Sequence, residues 1–131
     1  MIEEISAADA YAALDRNPRA VLLDVRTGPE QMFVGTPTHD RCVRISYTLF
    51  PPTQPDPEFL AKVSAAIEKD QPVYCLCKLG SRSMAAAQTL ASAGYAELYN
   101  ITHGFDGDQN DQGQRRPING WAAAGLPWHQ A

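Results

Sequence analysis

The sequence contains few cysteines, and their spacing argues against cross-links. Its 131 residues include three, Cys42, Cys75 and Cys77, an odd set without the spread of a disulfide framework. A single residue lies between Cys75 and Cys77, whereas zinc sites and thioredoxin-type motifs have two residues between their cysteines, the Cys-x-x-Cys spacing. We therefore expect all three thiols to be reduced.

The sequence also lacks an excess of positive charge and a long apolar run. Its formal net charge is -4, which gives no reason to expect nucleic acid or an anionic membrane surface as a partner. No apolar run approaches the length that crosses a bilayer, and Glu3 and Glu4 stand where a secretory signal would carry basic residues. These absences predict a cytoplasmic protein with neither a nucleic-acid nor a membrane partner.

The overall composition is that of one folded unit. Hydrophobic residues make up 44% of the chain and charged residues 20%, as is usual for a soluble globular protein. A chain of 131 residues is long enough to bury one hydrophobic core but short for two. We predict a single domain over residues 1–131.

Strand-like and helix-like segments alternate along the chain. Predicted strands cover residues 21–25, 42–46, 72–76 and 96–101. Predicted helices begin at Ser6, Glu30, Asp56 and Ser81, and a short one covers 121–124. The proline-rich run 50–57 excludes regular structure, and the polar stretch 106–117 predicts a surface loop. This alternation predicts an α/β fold, a parallel sheet of about five strands flanked by helices on both faces.

The segment from Cys77 to Ser83 connects a predicted strand directly to a predicted helix. In parallel sheets, ligands collect at the carboxyl ends of the strands. A turn that leads into a helix points several unpaired backbone N–H groups at one spot, and the helix dipole adds positive potential there. Gly80 permits a tight turn, while Lys78 and Arg82 add cations. This cradle suits an anion.

A cysteine held over such a cradle should ionise more easily than a free thiol, which makes Cys77 the candidate nucleophile. The predicted substrate-binding residues are Lys78, Leu79, Gly80, Ser81, Arg82 and Ser83. The alternative is a buried structural cysteine before an ordinary helix start. The glycine, the arginine and the strand–turn–helix context together favour the functional interpretation.

Several segments together resemble a rhodanese-homology domain. They are the strand end 21–26 with Glu30 and Gly35, the loop Cys77-x-x-Gly80-x-Arg82-Ser83, and the end 120–127. The resemblance covers almost the whole chain and implies a rhodanese-like fold and a single-domain sulfurtransferase. Cys77 would take sulfane sulfur from a donor such as thiosulfate, hold it as a persulfide, and pass it to a thiol or to cyanide. The implied partners are a small sulfur donor and a thiol acceptor, which could be a protein, and no cofactor is implied.

The length of the loop favours sulfur chemistry. Four residues separate Cys77 from Arg82. Members of the resembled family that carry sulfur share this spacing, whereas related phosphatases have a longer loop that makes a wider bowl. A small ring of N–H donors fits a single terminal sulfur anion better than a phosphoryl group. A sulfur carrier or regulatory module with little turnover is the second alternative, and a phosphatase or arsenate reductase is the third.

The remaining polar and thiol residues are interpreted as supporting structure. Asp24 and Arg26 lie at the end of a central strand, where the resemblance implies an ion pair that supports the site. Cys75 and Cys42 are expected to pack as small hydrophobes, with a resolving thiol as the alternative for Cys75. His39, His103 and His129 do not share metal-ligand spacing, so we predict no metal. Trp121 and Trp128 are predicted to anchor the C-terminal segment.

Three features depart from the resembled pattern. Thr36 follows Gly35 where relatives commonly have His, and His103 precedes Gly104 where a Gly-Gly pair is frequent. The stretch 106–117 is longer than the usual connection. We predict a solvated insertion there, while Arg115 and Arg116 at its end leave open a position near the pocket that selects a partner.

Overall fold

The computed structural model describes residues 2–49 and 53–130. Within them, the strands are β1 (Ile2–Ile5), β2 (Val21–Asp24), β3 (Thr36–Pro37), β4 (Cys42–Arg44), β5 (Thr48–Leu49), β6 (Gln54–Pro55), β7 (Val73–Leu76), β8 (Leu98–Ile101) and β9 (Trp128–His129). The helices are α1 (Ala7–Arg16), α2 (Gly28–Phe33), α3 (Phe59–Ala66) and α4 (Ser81–Ser92). None of the helices in these two ranges is long and apolar enough to cross a membrane.

Five strands form one parallel sheet in the order β1-β8-β7-β2-β4. This confirms the predicted α/β fold and places β7 at the centre of the sheet. The register pairs Asp24 of β2 with Leu76 of β7, so these two strands end at the same edge. The sequence does not reveal β1, because the two glutamates between Ile2 and Ile5 give neither an apolar run nor a clean alternation.

Both faces of the sheet are covered, because successive strand residues point to opposite sides. One core packs strand residues such as Leu23 and Cys75 against α3 and α4. The other packs Leu22 and Tyr74 against α1 and the buried Trp121. The prediction of helices on both faces is therefore confirmed, and each core fixes one side of the sheet edge where β7 ends.

Two helix starts differ from those predicted. α2 begins at Gly28 rather than at Glu30, and Thr27 and Glu30 form a capping box through hydrogen bonds of 3.4 and 3.2 Å. α3 begins at Phe59 rather than directly after Asp56. The Asp56 carboxylate instead accepts the N–H of Glu58 at 2.9 Å, which makes a turn ahead of the helix. At α1 the predicted N-cap is present, since the Ser6 hydroxyl accepts a backbone N–H at 3.1 Å.

Two other predictions are wrong. The prediction of no regular structure over 50–57 fails at Gln54–Pro55, which pairs with Thr48–Leu49 in a short antiparallel hairpin; residues 50–52 lie outside the described residues. The predicted helix over 121–124 is a series of turns. Gly125 has φ +73, a left-handed conformation that ends the turns, and the chain then adds β9 antiparallel to β3.

Candidate active site

The Cys77 side chain lies at the carboxyl end of the central strand, where the loop begins that leads into α4. The residue is 1% exposed. Its Sγ accepts the backbone N–H of Gly80 at 3.0 Å and lies 3.3 Å from the Ser83 hydroxyl. The sulfur is therefore buried but surrounded by donors on the loop side, which is what a site for a thiolate requires.

The loop backbone curls toward the sulfur because Gly80 has φ +113, a left-handed conformation that side chains disfavour. Gly80 precedes α4, whose first-turn N–H groups have no partner within the helix. Among the hydrogen bonds of the described residues, Gly80 supplies the one backbone N–H that donates to Sγ. The amides of Ser81 to Ser83 are then the donors left for a ligand.

A second segment holds the other side of the loop. The N–H groups of Phe105 and Asp106 donate to the carbonyls of Cys77 and Lys78 at 2.9 and 3.1 Å. Gly104 lies so close that a Cβ there would come within 2.4 Å of both carbonyl oxygens. The loop is therefore clamped between α4 and the chain that follows β8.

Three of the predicted binding residues point outward. Lys78, Leu79 and Ser81 are exposed, and Leu79 retains 41% of its surface. Leu79 and Gly80 line a cavity of about 290 Å³ together with His103, which lies beside the outer face of the loop. His103 has φ +65 and keeps the left-handed backbone at the position where the resembled family often has glycine.

Arg82 forms an ion pair with Glu30 across the site. Two parallel hydrogen bonds of 2.6 and 2.7 Å join its guanidinium to the carboxylate. Burial alone would raise the pKa of Glu30, but hydrogen bonds from Arg82 and Thr27 and the charge of Arg82 lower that pKa to about 2. The hydrogen bond to Glu30 in turn raises the pKa of Arg82. Arg82 thus lies beside the loop as a cation, but the Glu30 carboxylate already neutralises much of its charge.

A cavity of about 380 Å³ lies beside this ion pair. Its lining residues are Thr27, Pro29, Glu30, Thr48, Thr53 and Arg82. The guanidinium thus borders an open space where a small anion could approach it.

Two residues in the site were not identified from the sequence, Asn100 and Glu4. Asn100 is 3% exposed and accepts the Ser83 hydroxyl at 2.5 Å. Its Nδ2 donates to the Gly80 carbonyl and to a Glu4 carboxylate oxygen, each at 3.0 Å. The signal for Asn100 is a polar residue inside an otherwise apolar strand, but only pairing of β8 with β7 brings it beneath the loop. Glu4 carries no comparable signal, because β1 itself was not predicted.

Asp24 and Arg26 form a buried ion pair behind the loop. Both are nearly inaccessible, at 0% and 1% exposed, and hydrogen bonds of 2.9 and 2.8 Å join the two side chains. Arg26 also donates to the Gly35 carbonyl at 2.7 Å and stacks 4.6 Å from the Phe105 ring centroid. Since Phe105 donates to the Cys77 carbonyl, the pair braces the segment that holds the loop.

Of the other two thiols, Cys75 lies inside one hydrophobic core and the half-buried Cys42 packs against the other. Cys75 is 0% exposed, and burial, together with the neighbouring Cys77, raises its pKa to about 12. Burial, then the charge of Asp24, raises the pKa of Cys42 to about 12 as well. Both thiols are therefore protonated near neutral pH, in keeping with packing residues.

The long polar stretch is tied to the C-terminal segment at its end. Arg116 donates to Asp106 and to the Val34 carbonyl, each at 3.0 Å, and its guanidinium lies 5.1 Å from the Trp128 ring centroid. Arg115 donates to the Gly107 carbonyl at 2.9 Å. Within the stretch 106–117, predicted as a surface loop, most residues from 108 to 114 are exposed, as expected of a solvated insertion, but Asp106 and Gly107 are buried.

Comparison with known proteins identifies relatives along nearly the whole chain. The protein-family model described as the STR4 middle domain matches residues 2–131. An uncharacterized protein of Rickettsia prowazekii is 33% identical over 129 residues, 98% of each chain. The chloroplastic rhodanese-like domain-containing protein 4 of Arabidopsis thaliana is 27% identical over 125 residues, which are 94% of this chain but 25% of that protein.

Solved structures share the fold. A protein of M. tuberculosis known from its crystal structure is 36% identical, covers 98% of each chain and superimposes with a TM-score of 0.90. The polysulfide-sulfur transferase homodimer of Wolinella succinogenes is 27% identical, covers 99% of this chain and 80% of its own, and gives a TM-score of 0.70.

Proposed function

This chain belongs to the rhodanese-like family, and from that premise we propose that it is a sulfurtransferase that carries sulfur as a persulfide on Cys77. The observation that carries the proposal is the Gly80 N–H, which points at Cys77 Sγ from 3.0 Å at the start of α4. A backbone donor in that place favours a sulfur anion over a neutral thiol. The name of the Wolinella succinogenes relative, a polysulfide-sulfur transferase, supports the same chemistry.

In the first step, the Cys77 thiolate attacks the sulfane sulfur of a donor such as thiosulfate. A bond forms between Sγ and that sulfur, the sulfur–sulfur bond of the donor breaks, and sulfite leaves with the electron pair. The product persulfide carries its negative charge on the outer sulfur. Because the first-turn N–H groups of α4 have no partner within the helix, they can donate to this atom.

In the second step, a thiolate or cyanide attacks the outer sulfur. The bond to Sγ breaks, its electron pair returns to Cys77, and the acceptor leaves as a persulfide or as thiocyanate. No separate general base is needed for either attack, because both nucleophiles are anions.

Arg82 and Lys78 are proposed to attract the anionic donor, with unequal contributions. Arg82 borders the 380 Å³ cavity but shares its charge with Glu30, whereas Lys78 is exposed at the loop. An ion-paired guanidinium exerts a weaker field than a free one. Arg82 therefore donates hydrogen bonds to the sulfonate at the edge of the cavity, and Lys78 provides the positive charge that attracts the anionic donor to the site.

The burial of Cys77 supports a second candidate function, that of a sulfur carrier. With 1% of its surface exposed, the residue would shield a bound persulfide from solvent thiols. A protein that stores sulfur for one specific acceptor needs such shielding, whereas an enzyme with small substrates needs fast access.

Intact mass after incubation with thiosulfate tests both candidates. We expect wild type to gain the mass of one sulfur atom, the matched variant Cys42→Ser to gain it equally, and Cys77→Ser to gain nothing. Thiocyanate formation after addition of cyanide then separates an enzyme, which turns over repeatedly, from a carrier, which releases its sulfur slowly. Sulfur capture by Cys77→Ser would contradict the mechanism in either form.

A further inference from the structure

Asn100 joins two parts of the loop from below. Its side chain holds the Ser83 hydroxyl at 2.5 Å and the Gly80 carbonyl at 3.0 Å. Gly80 and Ser83 are also the two residues whose donors reach Cys77 Sγ. A side chain that touches both is placed to control the sulfur without touching it.

The orientation of the Asn100 amide follows from its neighbours. A Glu4 carboxylate oxygen and the Gly80 carbonyl oxygen are both acceptors, so the group that faces them must be the NH₂ group. Oδ1 therefore faces Ser83 and acts only as an acceptor. The Ser83 hydroxyl, which is fully buried, must supply the proton of that hydrogen bond.

Ser83 has one hydroxyl proton and three competing acceptors for it, Asn100 Oδ1 at 2.5 Å, the Gly80 carbonyl oxygen at 3.2 Å and Cys77 Sγ at 3.3 Å. Asn100 Oδ1 is the nearest of the three. When Cys77 carries its thiol proton, the S–H group can donate to Ser83 while Ser83 donates to Asn100. When that proton has left to solvent, the Ser83 proton must turn toward the sulfur to stabilise its charge, and the hydrogen bond to Asn100 is lost.

We propose that Asn100 is a positioning residue that competes with Cys77 Sγ for the Ser83 proton and so sets how readily the sulfur becomes an anion. The inference rests on the proposed function, because it concerns the reactive state of the same nucleophile. It goes further by naming a residue of β8 as a group that opposes the ionisation of the nucleophile.

Other charged and titratable groups surround the sulfur and stay constant in the test. They are Lys78 in the loop, Arg82 of α4 with Glu30 of α2, Asp24 and Arg26 at the end of β2, Cys75 of β7, His103 after β8 and Glu4 of β1 behind Asn100. Because these groups are present in every variant, a shift between variants reports the hydrogen bonds of Asn100 and Ser83.

The test is the pH dependence of Cys77 alkylation by iodoacetamide, followed by intact mass. Asn100→Ala removes the nearest competing acceptor and leaves the Gly80 carbonyl at 3.2 Å, so the Ser83 proton turns to the sulfur more readily, and we expect the midpoint of the alkylation curve to fall by about half a pH unit. Ser83→Ala removes the proton itself, and we expect the midpoint to rise. In the Ser83→Ala background, Asn100→Ala should no longer lower the midpoint.

The matched control is Tyr99→Phe, on the same strand, because its hydroxyl bonds Glu97 and not the loop. It should leave the midpoint unchanged. A midpoint that rises or stays the same in Asn100→Ala, or that falls equally with and without Ser83, overturns the proposal, because a merely structural loosening of the loop would have that effect.

Asn100→Asp provides a second route if Asn100→Ala does not fold, which circular dichroism would show. A carboxylate holds the Ser83 proton more strongly, so the midpoint should rise more with Ser83 present than in the Ser83→Ala background. An equal rise in both backgrounds overturns the proposal. Since alkylation needs no sulfur donor, a failure of persulfide capture would refute the proposed function and leave this test in force.

Discussion

Single residues in this protein matter most where charge is buried, as at Asp24 and Arg26. The two side chains are 0% and 1% exposed and leave no room for water to replace a lost partner. Removing one member of a buried pair leaves the other charge uncompensated. The pair therefore serves the site through stability, because it also holds Gly35 and Phe105 in place.

We predict that Asp24→Ala lowers the free energy of unfolding by about 3 to 5 kcal/mol, because it leaves the Arg26 guanidinium buried without a counter-charge. Urea denaturation followed by circular dichroism measures the change. The control is Asp70→Ala, which removes an exposed partner of Arg19 and should cost less than about 1 kcal/mol. If the two variants lost equal amounts of the free energy of unfolding, the buried pair would contribute no more to stability than the exposed one.

Glu30 links stability to pH. Its pKa in the folded protein is about 2, against an ordinary value of 4.5, since hydrogen bonds from Arg82 and Thr27 and the charge of Arg82 overcome the effect of burial. A lowered pKa means that the ionised form stabilises the folded state. That contribution is complete above pH 4.5 and is lost as the pH falls toward 2.

We therefore predict that Glu30→Gln is less stable than wild type at neutral pH and that the difference shrinks as the pH falls from 4.5 to about 2. Free energies of unfolding across this range measure it. Glu68→Gln is the control, because the Glu68 side chain is 77% exposed and lies 3.9 Å from Arg19. A difference between wild type and Glu30→Gln that stays constant with pH would contradict the assignment.

At the scale of elements, the segment after β8 shapes the loop that carries Cys77. The carbonyls of Cys77 and Lys78 both bond this segment, and Gly104 approaches them so closely that no other residue fits. The loop therefore owes its shape to an element that lies far from it in sequence.

We predict that Gly104→Ala destabilises the protein and slows sulfur capture by Cys77, because the new methyl group would press on both carbonyls. Gly113→Ala is a matched control: its φ of +74 resembles the +57 of Gly104, but a Cβ there meets nothing within 4 Å. The shared backbone strain costs about 1 to 2 kcal/mol in either variant. Denaturation and the rate of mass gain should both show a larger effect for Gly104→Ala, and equal effects would exclude the collision.

Helix and strand boundaries show where local sequence signals suffice. The start of α4 at Ser81 and its end before Gly94 follow directly from a glycine at either end, both with positive φ. The start of α3 does not, because Asp56 bonds the Glu58 N–H in a turn instead of capping the helix. Either conformation satisfies the carboxylate, and the packing of Phe59 selects between them.

At the scale of the whole molecule, the two cores place Cys42 on one side of the sheet and Cys75 and Cys77 on the other. Cys75 lies inside the core on the α3 and α4 face, and Cys42 packs against the opposite core. Burial raises the pKa of both to about 12, so neither forms a thiolate near neutral pH. Cys77 belongs to the same core cluster as Cys75, but its Sγ also accepts the Gly80 N–H at the start of α4.

We predict that native wild type treated with iodoacetamide at pH 8 gains one adduct, at Cys77, and that Cys77→Ser gains none. Denatured protein should gain three adducts, one for each free thiol. Intact mass and peptide mapping measure the result. Labelling of Cys42 or Cys75 in the native protein would contradict the raised pKa of these two thiols.

The sequence by itself determined the α/β class, the strand–loop–helix around Cys77 and the candidate nucleophile, because these follow from hydrophobic periodicity, glycine positions and a local motif that neighbouring residues encode. Only the tertiary structure decided the strand β1, the pairing of Arg82 with Glu30 and the place of Asn100 beneath the loop. The partners in these contacts are separated along the chain by 52 residues for the ion pair and by 17 for Asn100 and Ser83. Contacts at such separations form when the strands pair in register and the helices cover the sheet, so no local pattern specifies them.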